Sequence, residues 1–375
     1  IELVNGSRIE IKGADNENCY SADTEILTND GWKLFKDLNR KEDVLTINPK
    51  TLMVEWQKPI RYIESEYNGD FYHINSKKID LMVSPNHRFF VKSRKGVKKF
   101  KTIPELSLSG DSIPVGLGYV QDNSNVSEDE CAFMGIYLSE GTAYGNSGGD
   151  ITKRKGNYSV FIAQTDGIKG YKGNKGNVKS EIKQLITRLG YHFRDRGDGL
   201  EILNKALWSK LLPLGNKYTK RIPNDYKNLS ASKLKVLLNW LIKGDGSING
   251  GKREYFTVSK QLADDVQEIC FKAGLASNII IRPPSNQPGY IRGRLVKSIK
   301  PLYIVKIYCN RSSYFSKHGK SYVSKTIYTG KMYCLEVSNH TVLVRRNGKA
   351  IWSGNSLRGV GIKGVVFDET ADQQP

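Results

Sequence analysis

Residues 19–38 read CYSADTEILTNDGWKLFKDL, and residues 333–356 read YCLEVSNHTVLVRRNGKAIWSGNS. Both are short alternating or β-branched runs broken by turn residues, the pattern of half-buried strands rather than helices. Outward from the first, the same texture continues to about residue 115 through DVLTI, VEWQKPIRYIE, DFYHIN, DLMVS and HRFFV, with turns expected at Asn29-Asp30-Gly31 and Asn68-Gly69. Outward from the second it reaches back to about residue 322, and Asn347-Gly348 is a type I′ hairpin signal. Many short strands with no helix between them predict a compact all-β unit. That unit is discontinuous, because residues 121–321 have a different character.

The interruption opens with a polar stretch, QDNSNVSEDE, in which Ser127-x-x-Glu130 is a capping-box signature ahead of the helical run CAFMGIYLSEG. An internal repeat follows. Strands near NYSVFIAQ, the helix KSEIKQLITRLG and the strand YHFRD complete a first half. KLKVLLNWLIKGDG, REYFTVS, QLADDVQEICFKAG and NIIIR repeat its order and lengths. Glu140 and Asp245 end the leading helix of each half. A duplicated α/β domain with pseudo-twofold symmetry is expected, and with it a monomer.

Thirty-eight per cent hydrophobic content supports real cores, whereas a formal charge of +20 over 375 residues exceeds ordinary surface solvation. Residues 151–200 hold eleven Lys/Arg against four Asp/Glu, and residues 281–330 hold ten against none. Tyr, Gly, Asn and Ser interleave the cations in both, as in segments that track phosphates, so the expected partner is nucleic acid. No apolar run approaches the roughly 20 residues of a bilayer span, and the first 18 residues carry no signal-peptide pattern; no membrane partner and an intracellular, cytoplasmic setting are expected. Five cysteines without a CxxC pair argue against a disulfide framework or zinc knuckle.

Along the β unit stand, in order, Cys19, the quartet Ser84-Pro85-Asn86-His87, then Tyr333-Cys334-Leu335-Glu336-Val337, His340 and Gly354-Asn355-Ser356. These blocks resemble those of inteins, protein-splicing domains of the Hint type, over residues 19–355. The resemblance implies an all-β twisted horseshoe that brings its own termini together. It divides the chain into an N-extein fragment (1–18), a splicing domain in two parts (19–120 and 322–355), an insert (121–321) and a C-extein fragment (356–375).

The chemistry requires these residue types. A peptide bond is a poor acyl donor, so a nucleophile must first convert it to an ester. The Cys19 thiol can attack the Asn18 carbonyl in an N-to-S shift. His87 is the candidate to protonate the departing amide nitrogen, with Ser84 and the Asn86 region as donors to the oxyanion. Ser356 then takes over the upstream flank. Asn355 releases the intein by closing a succinimide on its own carbonyl, and an O-to-N shift joins Asn18 to Ser356. His340 is the candidate acid/base of that step, beside a purely structural reading of a histidine in a turn. None of this needs a cofactor. Two residues depart from the pattern: Gly354 stands where His is usual, and Cys334 stands where Asp is usual. Cys334 is read as a modulating or packing residue rather than a nucleophile, since Cys19 is present.

FMGIYLSEG at 133–141 and LNWLIKGDG at 238–246 resemble the paired motif of LAGLIDADG homing endonucleases. That resemblance implies double-stranded DNA as partner and Mg²⁺ held by Glu140 and Asp245. It also implies a lysine about eighty residues past the first acid, matched by Lys220, with Lys306 as the second-half counterpart. Both lysines also read as phosphate contacts. Trp240 occupies a packing position where a small residue is usual. After removal of 19–355 the flanks join as GADNENSLRGVGIKGVVFDETAD, whose Asp368 and Glu369 resemble the Walker B end of a phage terminase large-subunit ATPase. Gly319-Lys320-Ser321 lacks the glycine-rich context of a P-loop and is rejected. Two competing readings stand beside splicing with DNA cleavage: a DNA-binding protein without splicing, and a cleavage-only autoprocessing domain with an inactive endonuclease.

Overall fold

The computed structural model describes residues 18–119, 125–144, 158–165, 178–284, 289–291, 294–296, 299–308, 313–317 and 320–355. Ser356, Asp368, Glu369, Gly319 and much of both basic stretches lie outside these residues.

The two β segments interlock. The 15-residue strand Arg61–Asn75 pairs antiparallel along the whole length of Val323–Glu336, from Glu336↔Arg61 to Val323↔Ile74. Tyr20–Ser21 and Asp80–Val83 close these two strands into a small barrel, with Tyr20 opposite both Tyr333 and Val83. The turn expected at Asn68-Gly69 does not form. Gly69 sits inside the long strand opposite Tyr328, because the returning strand supplies ladder partners on both sides of it and overrides the local turn preference. The hairpin at Asn347-Gly348 does form, with φ of 49° and 75° and the pair Arg346↔Lys349 beside it.

The β unit resumes earlier than residue 322. Ser313–Tyr314 pairs with Ser112–Ile113, and the buried Phe315 ring lies 5.3 Å from that of Phe89.

The insert is duplicated as its sequence predicts. The Ser127 hydroxyl accepts from the Glu130 amide at 3.1 Å and the Glu130 carboxylate accepts from the Ser127 amide at 2.8 Å, completing the box that starts helix Glu128–Glu140. Each acidic helix runs directly into a strand that sequence patterning does not mark, Gly141–Tyr144 in one half and Gly246–Asn249 in the other. Each half then builds a four-stranded antiparallel run in spatial order 1-2-4-3. In the first the strands are Gly141–Tyr144, Ser159–Ala163, Arg194–Asp195 and Gly199–Leu203. In the second they are Gly246–Asn249, Lys252–Thr257, Ala276–Arg282 and Leu302–Tyr308.

The helices Glu128–Glu140 and Ala231–Asp245 pack face to face at the centre. Glycine is required there: a Cβ on Gly135 would meet Leu237 O at 2.7 Å, and one on Gly244 would meet Ser139 Cβ at 2.4 Å. Ser139 Oγ donates to Leu241 O across the gap at 3.0 Å. Trp240 does not hold the helices apart, because its Cβ fills the space over Gly135.

The two units are fused rather than merely tethered. Strand Ala276–Arg282 of the insert pairs with Lys349–Gly354 at Asn278↔Lys349, which joins the second-half strands to those of the β unit in one sheet. Phe271, on the insert helix Lys260–Lys272, is buried against Trp352 of the β unit with ring centroids 5.8 Å apart. Among the described residues no helix is long and apolar enough to cross a membrane.

Candidate functional site

Residues far apart in sequence meet at one end of the barrel. Because Tyr20–Ser21 is clamped between Val83 and Tyr333, the preceding Cys19 is carried against the turn after Val83. The Cys19 amide donates to Ser84 Oγ at 2.9 Å, and the Ser84 amide donates back to the Cys19 carbonyl at 3.0 Å. Ser84 thus meets the Asn18–Cys19 peptide from its nitrogen side. The same turn folds His87 inward, its amide donating to Ser84 O at 3.0 Å, and leaves Asn86 exposed.

His87 is fully buried, with Nε2 2.9 Å from Ser353 Oγ. Burial drives its pKa down to about 3, against a weaker opposing pull from the Asn18 backbone beside the ring. It is therefore neutral at pH 7. The Tyr20 ring packs edge-on against it with centroids 4.7 Å apart. Burial holds the Tyr20 phenol well above its ordinary pKa, as do the neighbouring thiols of Cys334 and then Cys19.

The other end of the segment arrives on strand Lys349–Gly354. Tyr20 Oη donates to the Gly354 carbonyl, the Asn355 amide donates to His340 O at 3.1 Å, and Asn18 Nδ2 lies 3.4 Å from Asn355 O. His340 holds φ at +54°, which turns the chain toward Thr341. Its ring, whose pKa burial lowers, faces the Asn355 side chain closely enough to be raised slightly by it. Apart from this approach to the His340 ring, the buried amide meets no well-formed hydrogen bond among the described residues.

The structure therefore gathers Cys19, Ser84, His87, Cys334, His340, Gly354 and Asn355. Asn18, expected there only through its carbonyl, brings its side-chain amide as well, and Tyr20 and Ser353 join them without having been expected. Strand alternation sends Cys19 and its neighbour Tyr20 to opposite faces, so burial of one does not reveal the other, and the side chains of Asn18 and Ser353 carried no local signal either.

A second constellation lies at the ends of the paired helices. Glu140 Cγ stands 3.4 Å from where a Gly244 Cβ would be, one residue from Asp245. Lys220 Nζ is buried and donates to three carbonyls at the end of the first helix: Tyr137 at 3.0 Å, Leu138 at 2.9 Å and Gly141 at 2.7 Å. This cation offsets the unfavourable placement of Glu140 at a helix C-terminus. Burial lowers its pKa to about 8, with Asp245 and then Glu140 opposing. Its three donors are spent inside the protein, so the reading of Lys220 as a phosphate contact does not fit this arrangement. Tyr255, also unforeseen, is buried beside the same acids, its pKa raised by burial and then by Asp245. Lys306 lies elsewhere, on the sheet opposite Glu254 and 3.4 Å from its carboxylate. Among the described residues no group of three or more His, Cys, Asp or Glu is assembled for a metal. Two carboxylates alone suit Mg²⁺, which keeps several waters and takes further oxygens from substrate phosphates.

No family model matches the chain. Curated relatives include the RNA polymerase subunit beta C-terminal section of Stigeoclonium helveticum, 26% identical over 90% of this chain and 36% of its own length. A Clp protease proteolytic subunit of Chlamydomonas moewusii is 26% identical over 80% of this chain and 32% of its own, and a ribonucleoside-diphosphate reductase subunit beta of Aquifex aeolicus 24% over 91% and 50%. The chain thus spans about a third of the length of the first two and half of the third. Similar solved structures include the homing endonuclease I-DmoI (TM-score 0.32, 16% identity, covering 49% of this chain and 90% of that one). Another is the AceL NrdHF class 3 split intein (TM-score 0.24, 20% identity, covering 29% of this chain and 67% of that one).

Proposed function

We propose that residues 19–355 excise themselves as an intein of horseshoe Hint fold, joining Asn18 to Ser356, and that the insert is a LAGLIDADG homing endonuclease that cuts double-stranded DNA. The observation that carries the first half is the meeting of both junctions: Asn18 and Asn355, 337 positions apart, touch beside Cys19. The relatives support it too. Their names denote unrelated enzymes, yet each shares most of this chain while leaving half or more of its own length unmatched, as a mobile insertion in different hosts would.

Neutral His87, packed near the Asn18–Cys19 bond, takes the proton from the Cys19 thiol as sulfur attacks the Asn18 carbonyl carbon, and hands it to the departing nitrogen. Ser84 Oγ, already bonded to that N–H, holds the nitrogen in place. The C–N bond breaks, the C–S bond forms, and no proton is gained or lost overall. Ser356 then exchanges oxygen for sulfur at the same carbonyl. The Asn355 side-chain nitrogen closes on its own carbonyl carbon and expels the Ser356 amine, with His340 placed to relay the proton. Mass spectrometry of the freshly expressed chain tests this: absence of both an excised 19–355 species and joined flanks would sink the reading.

In the insert, Glu140 and Asp245 would hold Mg²⁺, which supplies Lewis-acid stabilisation of the phosphate under attack. One chain provides both carboxylates and both basic halves, so it acts as a monomer. Lys220 fixes the first helix end beneath the acids. A plasmid carrying the uninterrupted host junction should be cut in Mg²⁺, and cutting that persists in Asp245→Asn would refute the metal site.

A further inference from the structure

The contact between Asn18 and Asn355 has a chemical direction. Nδ2 of Asn18 is the donor, and the acceptor at 3.4 Å is the carbonyl oxygen of the peptide bond that must break downstream. Both residues are almost fully buried, at 4% and 1% exposure. When the Asn355 side-chain nitrogen bonds to its own carbonyl carbon, the carbonyl electron pair moves onto this oxygen. Collapse re-forms the carbonyl, breaks the bond to Ser356 nitrogen, and transfers the proton lost by the attacking nitrogen to the departing amine. Negative charge therefore appears transiently where the Asn18 amide points. A fixed donor in a water-excluded site is worth most at that moment, and a bond that is long in the ground state tightens as charge develops. The neighbouring donor, Tyr20 Oη, is committed to Gly354 O instead.

We infer that Asn18, the last residue of the upstream flank, is a catalytic residue for downstream cleavage, supplying an oxyanion donor from its side-chain amide; the inference rests on the splicing reading above. It has a consequence for reaction order. Asn18 is covalently part of the group that migrates. In the uncleaved chain the donor is in place. Should the flank be lost to hydrolysis, the donor leaves with it and cleavage after Asn355 slows. The coupling runs one way: a chain that has lost its upstream flank cuts downstream more slowly than one that still carries it.

The test separates the junctions. In a Cys19→Ala chain the upstream bond is locked, and appearance of the 356–375 fragment is timed by mass spectrometry with Asn18, Asn18→Ala and Asn18→Asp. Both variants should slow the fragment roughly tenfold, since neither side chain donates. In an Asn355→Ala chain, upstream cleavage by dithiothreitol reports thioester formation, which should fall by less than about threefold. Equal downstream rates in all three chains, or equal losses in both assays, would overturn the inference, the latter marking a packing role. Failure of the splicing reading looks different: no cleavage at either junction with native Asn18.

Discussion

A Cβ on Gly354 would stand 2.1 Å from the backbone carbonyl oxygen of Arg88. The histidine usual at this position in inteins is thus excluded by main chain, not merely missing. Gly354→His should slow splicing rather than restore a conventional step. Gly354→Ala, with only one added carbon, should already destabilise the fold by about 1–3 kcal/mol, the cost of overpacking. Urea unfolding in a Cys19→Ala, Asn355→Ala background measures the second effect. A histidine variant that splices faster than the native chain would show that Arg88 yields.

With Gly354 fixed, Tyr20 is the side chain that engages its carbonyl. Tyr20→Phe keeps the ring against His87 but leaves a buried carbonyl without its donor. We expect about 1–3 kcal/mol of lost stability and accumulation of unspliced or branched chain, read by intact mass. Full-rate splicing in Tyr20→Phe would confine the tyrosine to packing.

The pH response follows from His87, whose pKa in the fold is about 3 against 6.5 for an ordinary histidine. The unfolded chain binds the extra proton first. Stability contributed by the neutral ring is therefore complete above pH 6.5 and is lost as pH falls from there toward 3, at up to about 1.4 kcal/mol per pH unit. In the inactive double variant, urea midpoints at pH 7 and pH 5 should differ, and His87→Gln should remove part of that difference. An imidazole C2 proton that titrates near 6.5 would contradict the burial.

Much of this was readable before the fold was seen, for identifiable reasons. Strand alternation around Cys19 and Asn355, the capping box at Ser127 and the hairpin at Asn347-Gly348 are local signals that the tertiary structure respects. Asn68-Gly69 is the opposite case, a turn signal overridden by a partner strand more than 250 residues away. Asn18 and Ser353 act through contacts spanning 337 and 266 positions, and no local pattern encodes them. The early return of the β unit at Ser313 was hidden because a two-residue strand is too short to show periodicity.

Lys220 gives a prediction that separates the two activities. Its three carbonyl bonds organise the end of helix Glu128–Glu140 below the acids. Lys220→Met should abolish plasmid cutting while splicing continues, because the change lies in the insert core and not at the junctions. Asp245 is exposed, so Asp245→Asn should stop cutting at only a small cost in stability, that of its favourable field on the Lys220 cation. Parallel loss of both activities in Asp245→Asn would mean that the sites are coupled.

Arg345 shows why the insert should not be removable without consequence. It lies on strand Thr341–Arg346 of the β unit with only 3% of its surface exposed, stacked 4.3 Å from the Trp32 ring centroid. Two of its nitrogens bond Glu25 of the same unit, both at 2.7 Å, but Nη1 bonds Asp264 at 2.6 Å and Gln267 at 3.0 Å on the insert helix. Deleting residues 125–308 would strip that side of the guanidinium and uncover Trp352, the partner of Phe271. Removing one partner of a buried ion pair is strongly destabilising, whereas an apolar replacement of similar volume is often tolerated. Asp264→Ala should therefore cost about 1–3 kcal/mol, less than a full buried pair because Glu25 remains. The deleted chain should splice more slowly than the full one and recover in part with Arg345→Leu, measured as precursor remaining over time. Full-rate splicing of the deleted chain with Arg345 intact would show that the shared interface stabilises only the endonuclease.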